Sequence, residues 1–268
     1  MKIAAIQMVS GSSVRDNLDA AGQWLARAAA QGAELALLPE YFCVMGLQDG
    51  DKLKAQESFG AGLIQDFLSN SARQLGLWIV GGTLPLATPD ASRARNSSLA
   101  YAPSGECVAR YDKIHLFRFS QGQEAYDETR VLEPGTQPVG FDLASRDGHV
   151  YRIGMSVCYD LRFPELYRAL NADVLLVPSA FTYTTGQAHW EVLLRARAIE
   201  NLAYVVAAAQ GGTHESGRRT WGHSMLVSPW GQILALHAEG AGLVMGEILG
   251  AELQALRGRL PVLQHGVL

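Results

Sequence analysis

The sequence predicts a layered α/β protein with mixed sheets. Three observations carry that class: apolar runs of strand length, helix-period stretches between them, and turn residues that fold some neighbouring runs into hairpins. KIAAIQM reads as a first strand. SVRDNLDAAGQWLARAAAQG reads as a helix, with Leu18, Ala21, Leu25 and Ala28 on one face, Ser13 and Asp16 as a capping-box-like start and Gly32 as the stop. ELALLPEYF, LWIVGGTL, NSSLAYAP, ECVARYDKIHL and YRIGMSVCYD follow as strands, and a helix begins after the last of them. DVLLVPSAF is a strand expected to stop at its proline, and HWEVLLRARAIEN is a helix supported by Glu191 and Arg195 at i, i+4. AYVVAAAQ, HSMLVSP, QILALHA and GLVMGEI complete the strands. Several runs are apolar throughout, as strands covered on both faces must be. APSGE and SPWGQ supply the hairpin turns.

No Pro/Ser-rich linker or low-complexity block divides the 268 residues, so one domain over 1–268 is expected. The polar segment 118–138 is the one candidate for sparse order. GAELALLPEYF and NADVLLVPSAF resemble each other, a hint of pseudo-symmetric halves.

Composition narrows the function. Apolar residues are 48% and charged residues 18%, with a net charge of −4 and no run of Lys or Arg. A nucleic-acid or anionic-membrane surface needs a basic patch, so small-molecule chemistry is expected, without nucleic-acid or membrane partners. No run is long enough to span a bilayer, and Gln7 interrupts the apolar start, which therefore reads as a strand and not as a signal peptide. Cys43, Cys107 and Cys158 are odd in number and lack CxxC spacing, which fits a reducing cytoplasm. The seven histidines show no ligand spacing, so no metal is expected. GAGLVMG lacks the helix a nucleotide loop needs, and Gly222-His223-Ser224 lacks the GxSxG elbow.

Chemistry concentrates at strand ends. Glu40 follows Leu-Leu-Pro, ECVARYDKIHL puts Lys113 between Asp112 and Ile114, and Cys158 falls where an apolar strand meets Tyr159, Asp160 and Arg162. Ligand crevices in open α/β sheets lie beyond the carboxyl ends of parallel strands, so Glu40 and Cys158 are placed to share a rim. Taken singly, each has an ordinary alternative: a solvated loop acid, a surface lysine, a small core filler. Their joint occurrence favours a site.

LLPEYF, YDKIHLF and GMSVCYDLRFPEL resemble, in order and spacing, the glutamate, lysine and cysteine motifs of the nitrilase superfamily of carbon–nitrogen hydrolases, across essentially the whole chain. PSAFTYTTGQAHWEVLLRARAIENLAYVVAAAQ, WGHSMLVSPWG and LPVLQH resemble the branch that includes the deaminated glutathione amidases. The resemblance implies a four-layer αββα sandwich, commonly dimerised through helices, hence a homodimer or higher homo-oligomer, and an amidase that needs no cofactor. It implies Glu40 as general base and acid, Lys113 as oxyanion partner, Cys158 as nucleophile and Glu128 as the second glutamate beside the lysine, with the Tyr159 N–H as an oxyanion donor. It tips Arg162 towards reading a substrate carboxylate, the alternative being a salt bridge to Asp160 or Glu165. Thr182, at another strand end, either orients a substrate or caps its turn, and Phe163 and Tyr41 are candidate pocket walls. The implied reaction yields 2-oxoglutarate and cysteinylglycine. The rivals are an omega-amidase releasing ammonia from 2-oxoglutaramate, a nitrilase proper, a non-catalytic binding scaffold and a thiol redox sensor using Cys158.

Overall fold

The computed structural model describes residues 1–122 and 124–267. Two sheets face each other. The first has seven strands, in the order Gly242–Glu247, Lys2–Gln7, Leu35–Leu37, Trp78–Val80, Ala94–Tyr101 and Leu84–Ala87, with Cys107–Asp112 also paired to Ala94–Tyr101. The second has six, in the order Ile233–His237, Ser224–Val227, Tyr204–Ala209, Val174–Ser179, Val150–Met155 and Val139–Ala144. Each is parallel at its centre and antiparallel at its edges. Helices Val14–Ala30 and Leu63–Leu75 cover the outer face of the first sheet, and Pro164–Leu170 and Tyr183–Asn201 cover that of the second. This is the expected four-layer αββα arrangement.

The continuously apolar strands are explained by these layers. Successive side chains on a strand point to opposite faces. In Lys2–Gln7, Ile3 and Ala5 pack between the sheets with Leu35, Leu37, Ile153, Leu175 and Val205. Ala4 and Ile6 point the other way, against Leu18, Leu25, Ile64 and Leu68 of the covering helices. Both faces must be apolar because both are buried.

The first helix begins as the sequence indicates, with the Ser13 side chain accepting from the Asp16 N–H. Both hairpins form at APSGE and SPWGQ. Three expectations need correction. The strand Val174–Ser179 does not stop at its proline: Pro178 lies inside it, in register with Ala208. LWIVGGTL is two strands, broken at Gly81 and Gly82. Much of the segment 118–138 is regular: Arg118–Gln121 and Glu124–Asp127 pair as an antiparallel ribbon, followed by a 3₁₀ turn at Glu128–Arg130, whereas 133–138 form no regular element and residue 123 lies outside the described residues. Its polar composition reflects a ribbon lying largely on the surface, so no apolar face marks it.

Gly82 permits a close approach between two chain segments. Its φ is 47°, and a Cβ there would overlap the backbone carbonyl of Pro39, next to Glu40. Gly82→Ala is expected to cost at least about 3 kcal/mol, because the left-handed strain adds to overpacking against backbone. Urea unfolding measures it; a cost under about 1 kcal/mol would show that this approach is not tight.

Candidate active site

The parallel centres of both sheets end on one side of the molecule, and the chemistry-bearing residues leave them there. Glu40 lies just past Leu35–Leu37, Cys158 just past Val150–Met155, Ala180 just past Val174–Ser179, and Lys113 just past Cys107–Asp112. The two similar segments noted in the sequence thus occupy equivalent positions in opposite sheets. They meet at one hydrogen bond: the Ala180 N–H donates to Glu40 Oε2 at 2.8 Å.

Lys113 is the centre of charge. Its side chain is fully buried, and Nζ donates at 2.9 Å to Glu40 Oε1 and at 2.9 Å to Glu128 Oε2. Burial by itself would lower the lysine pKa, but the charges of Glu128 and Glu40 overcome it and hold the ammonium more firmly than usual. Glu128 also accepts from the Phe117 N–H at 2.7 Å and the Tyr41 hydroxyl at 2.7 Å. Its burial favours protonation, yet Lys113 and then Lys52 hold its carboxyl well below the ordinary range. Glu40 has a third donor, Asn96 Nδ2, at 2.9 Å.

Cys158 sits on a strained corner. Its φ of 50° lies in the left-handed region, where a non-glycine residue costs about 1–2 kcal/mol. Asp160 holds that corner from beneath: it accepts from the Val157 N–H, the Tyr111 hydroxyl and the His115 N–H, and pairs with His115 Nδ1 at 2.7 Å. Because His115 is two residues past Lys113, one buried carboxylate ties the lysine loop to the cysteine loop. Burial pushes the Cys158 thiol well above its usual value; Glu40 and Glu128 add to this and Lys113 opposes it. This environment disfavours the thiolate, and the Glu40 carboxylate lines the same cavity.

Cys158, Glu40 and Glu128 line one cavity with Phe117, Tyr159, Thr182, Thr185 and Arg218. It is a narrow cavity, with about 270 Å³ of space among its lining atoms.

The other residues singled out in the sequence fall in different places. Thr182 lines the cavity, and its hydroxyl shares a hydrogen bond with that of Thr185 and does not cap its helix. Tyr159 lines it too, in edge contact with Phe117. Arg162 makes no salt bridge with Asp160 or Glu165 and lies outside the cavity lining; its guanidinium lies over Tyr159 and Phe181, which do line it, and 3.4 Å from His189 Nδ1. Phe163 is no wall of this cavity: it stacks on His115 at 3.6 Å between centroids. Tyr41 likewise stands behind Glu128, outside the lining. Sequence reasoning missed Asn96, Phe117, Thr185 and Arg218. Asn96 alone had a signal, a polar residue at the start of an apolar strand whose side chain needs a buried partner.

An α/β sandwich that gathers a buried thiol, two carboxylates and an ammonium at its strand ends has the parts of a covalent hydrolase. The Carbon-nitrogen hydrolase family profile matches residues 2–257, and the chain belongs to that family. It is a hydrolase acting on carbon–nitrogen bonds other than peptide bonds. It is 41% identical to a deaminated glutathione amidase of Synechocystis sp., over 98% of this chain and 97% of that one. Among solved structures, the Caenorhabditis elegans NitFhit protein superposes with a TM-score of 0.90 at 36% identity, covering 99% of this chain and 65% of the fusion protein. An amidase from Nesterenkonia sp., solved with acrylamide added to its active-site cysteine, superposes with a TM-score of 0.78 at 30% identity, covering 97% and 98%.

Proposed function

We propose that the chain hydrolyses the amide of deaminated glutathione through a thioester on Cys158, releasing 2-oxoglutarate and cysteinylglycine. The observation that carries this reading is Lys113, buried between two carboxylates beside a buried thiol. Glu40 takes the thiol proton as sulfur attacks the amide carbonyl. The oxyanion is received by Lys113 Nζ and the Tyr159 N–H, a type of contact whose loss costs about 3–4 kcal/mol. The C–N bond breaks, and Glu40 passes its proton to the departing nitrogen. Water, deprotonated by Glu40, then attacks the thioester, and the acid leaves as the thiol is re-formed. Throughout, Glu128 keeps Lys113 charged while Glu40 changes protonation state. Similarity to deaminated glutathione amidases supports the substrate, and the acrylamide-bearing cysteine of the Nesterenkonia amidase supports the nucleophile.

Arg162, free of a carboxylate partner among the described residues, is assigned to the keto-acid carboxylate, which its planar fork suits. Arg162→Lys is expected to raise KM about tenfold for keto-acid amides and less than twofold for neutral amides; equal shifts would remove Arg162 from that role. The reaction itself is tested by incubating the protein with deaminated glutathione and with 2-oxoglutaramate, measuring dipeptide and ammonia. Intact-mass analysis of quenched samples should show a 2-oxoglutaryl adduct on Cys158. Ammonia release from 2-oxoglutaramate without dipeptide release would favour the omega-amidase reading.

A nucleophile that must remain a free thiol suits a reducing cytoplasm, and all three cysteines are free. No helix among the described residues is long and apolar enough to cross a membrane. Pairing of two copies through helices would cover Val192 and Ile199, exposed on Tyr183–Asn201.

A further inference from the structure

A second, wider cavity adjoins the catalytic one and shares Arg218 with it. Lys52, Arg218 and Arg219 line it, with Asp49 and Glu124. Among the described residues none of the three cations forms an ion pair, although two carboxylates line the same space. Glu124 accepts instead from the Thr184 hydroxyl.

Lys52 is the unusual member. It is 6% exposed and has no hydrogen-bond acceptor among the described residues; its ammonium lies 4.3 Å from the centre of the Tyr41 ring. Arg218 gives one bond to the Ala180 carbonyl, but its Nε is buried without a partner. Arg219 lies over Tyr183 at 3.9 Å, a stacking contact that leaves its donors unused. The Lys52 stem is buried while the residue lines this cavity, and its ammonium is held by no ion pair among the described residues. Burial lowers the Lys52 pKa while the charge of Glu128 supports it. Lys52 is one tyrosine away from the catalytic centre, since the Tyr41 hydroxyl donates to Glu128.

We propose that this cavity binds the terminal carboxylate of the departing dipeptide, with Lys52 as its principal partner and Arg218 and Arg219 completing the site. The inference rests on the substrate class proposed above. The scissile nitrogen departs beside Glu40, and two extended residues span about 7 Å, a reach suited to an adjoining cavity. An ammonia leaving group would use none of these cations. The site thus selects for a leaving group that carries its own negative charge.

The test compares KM for deaminated glutathione, for the same compound with its terminal carboxylate capped as an amide, and for 2-oxoglutaramate. These are measured in the wild type, Lys52→Met and Lys52→Arg. Capping should raise the wild-type KM about tenfold, as for loss of a charge-assisted contact. In Lys52→Met the capped and uncapped substrates should become nearly equal, and Lys52→Arg should restore most of the difference. No effect of capping on the wild type, a test that needs no variant to fold, would overturn the proposal. So would Lys52→Met shifting KM for 2-oxoglutaramate as much as for the free acid, because Lys52 would then act through Tyr41 and Glu128 or read the keto-acid carboxylate. A wild type that releases no dipeptide would defeat the proposed substrate, and this site with it; dipeptide release with insensitivity to the cap would defeat this site alone.

Discussion

Cys158→Ala is expected to lower kcat by at least about a thousandfold while leaving the fold intact, because a covalent scheme without its nucleophile retains only binding and oxyanion contacts. The backbone gives little reason for collapse. Alanine keeps the Cβ, so the strain of the 50° φ at this corner is unchanged, and Asp160 still holds the corner through the Val157 N–H. The sulfur faces a cavity beside two carboxylates that disfavour its ionisation, so its removal should cost about 1 kcal/mol or less, a melting shift of about 2–4 °C. Steady-state kinetics, intact mass after a substrate quench and calorimetry together decide it. Retained turnover would remove the thioester. Loss of the melting transition would instead make Cys158 structural, the ordinary reading of a thiol in an apolar strand.

The strand ends were legible because physical chemistry marks them. A charged or nucleophilic residue beyond a strand end buried on both faces has few solvated places to go, and Glu40 and Cys158 carry that mark, whereas Lys113 follows a half-exposed strand and stood out only jointly with them. Glu128 was legible only through family resemblance; its polar surroundings read as loop, and a surface ribbon is what forms there. Pro178 misled because it reads as a stop, whereas a strand tolerates proline where no ladder N–H is needed. Arg218 and Lys52 had no local signal at all. Each lies in a short polar stretch that reads as solvated, ESGRRT and DGDKLK, and each acquires meaning only from rings and carboxylates brought to it by tertiary packing. Phe117 contributes a backbone N–H to Glu128, which side-chain identity does not encode. Local pattern thus identified Glu40, Lys113 and Cys158, but not the groups that hold or surround them.

Lys113→Met is expected to lower stability by about 3–5 kcal/mol at neutral pH, the usual result of removing one partner from a buried ionic cluster. It should also reduce kcat by about a hundredfold to a thousandfold through loss of an oxyanion donor. The pH dependence separates charge from packing. In the wild type the Glu128 pKa is depressed in the fold, so its contribution is present above the unfolded value of about 4.3 and is lost as pH falls. Without the Lys113 ammonium, burial and the neighbouring Glu40 charge favour protonated Glu128, with only the more distant Lys52 charge against it. The folded state then binds the extra proton, and stability falls as pH rises. The gap between wild type and variant should therefore be wide at about pH 7.5 and narrow at about pH 5. Adding Glu128→Gln to Lys113→Met should recover part of the loss at the higher pH, because one of the two stranded charges is gone. Urea unfolding of the three proteins at both pH values measures this. An equal gap at the two values would mean that Lys113 contributes the packing of its stem and that its charge does not hold the carboxylates together.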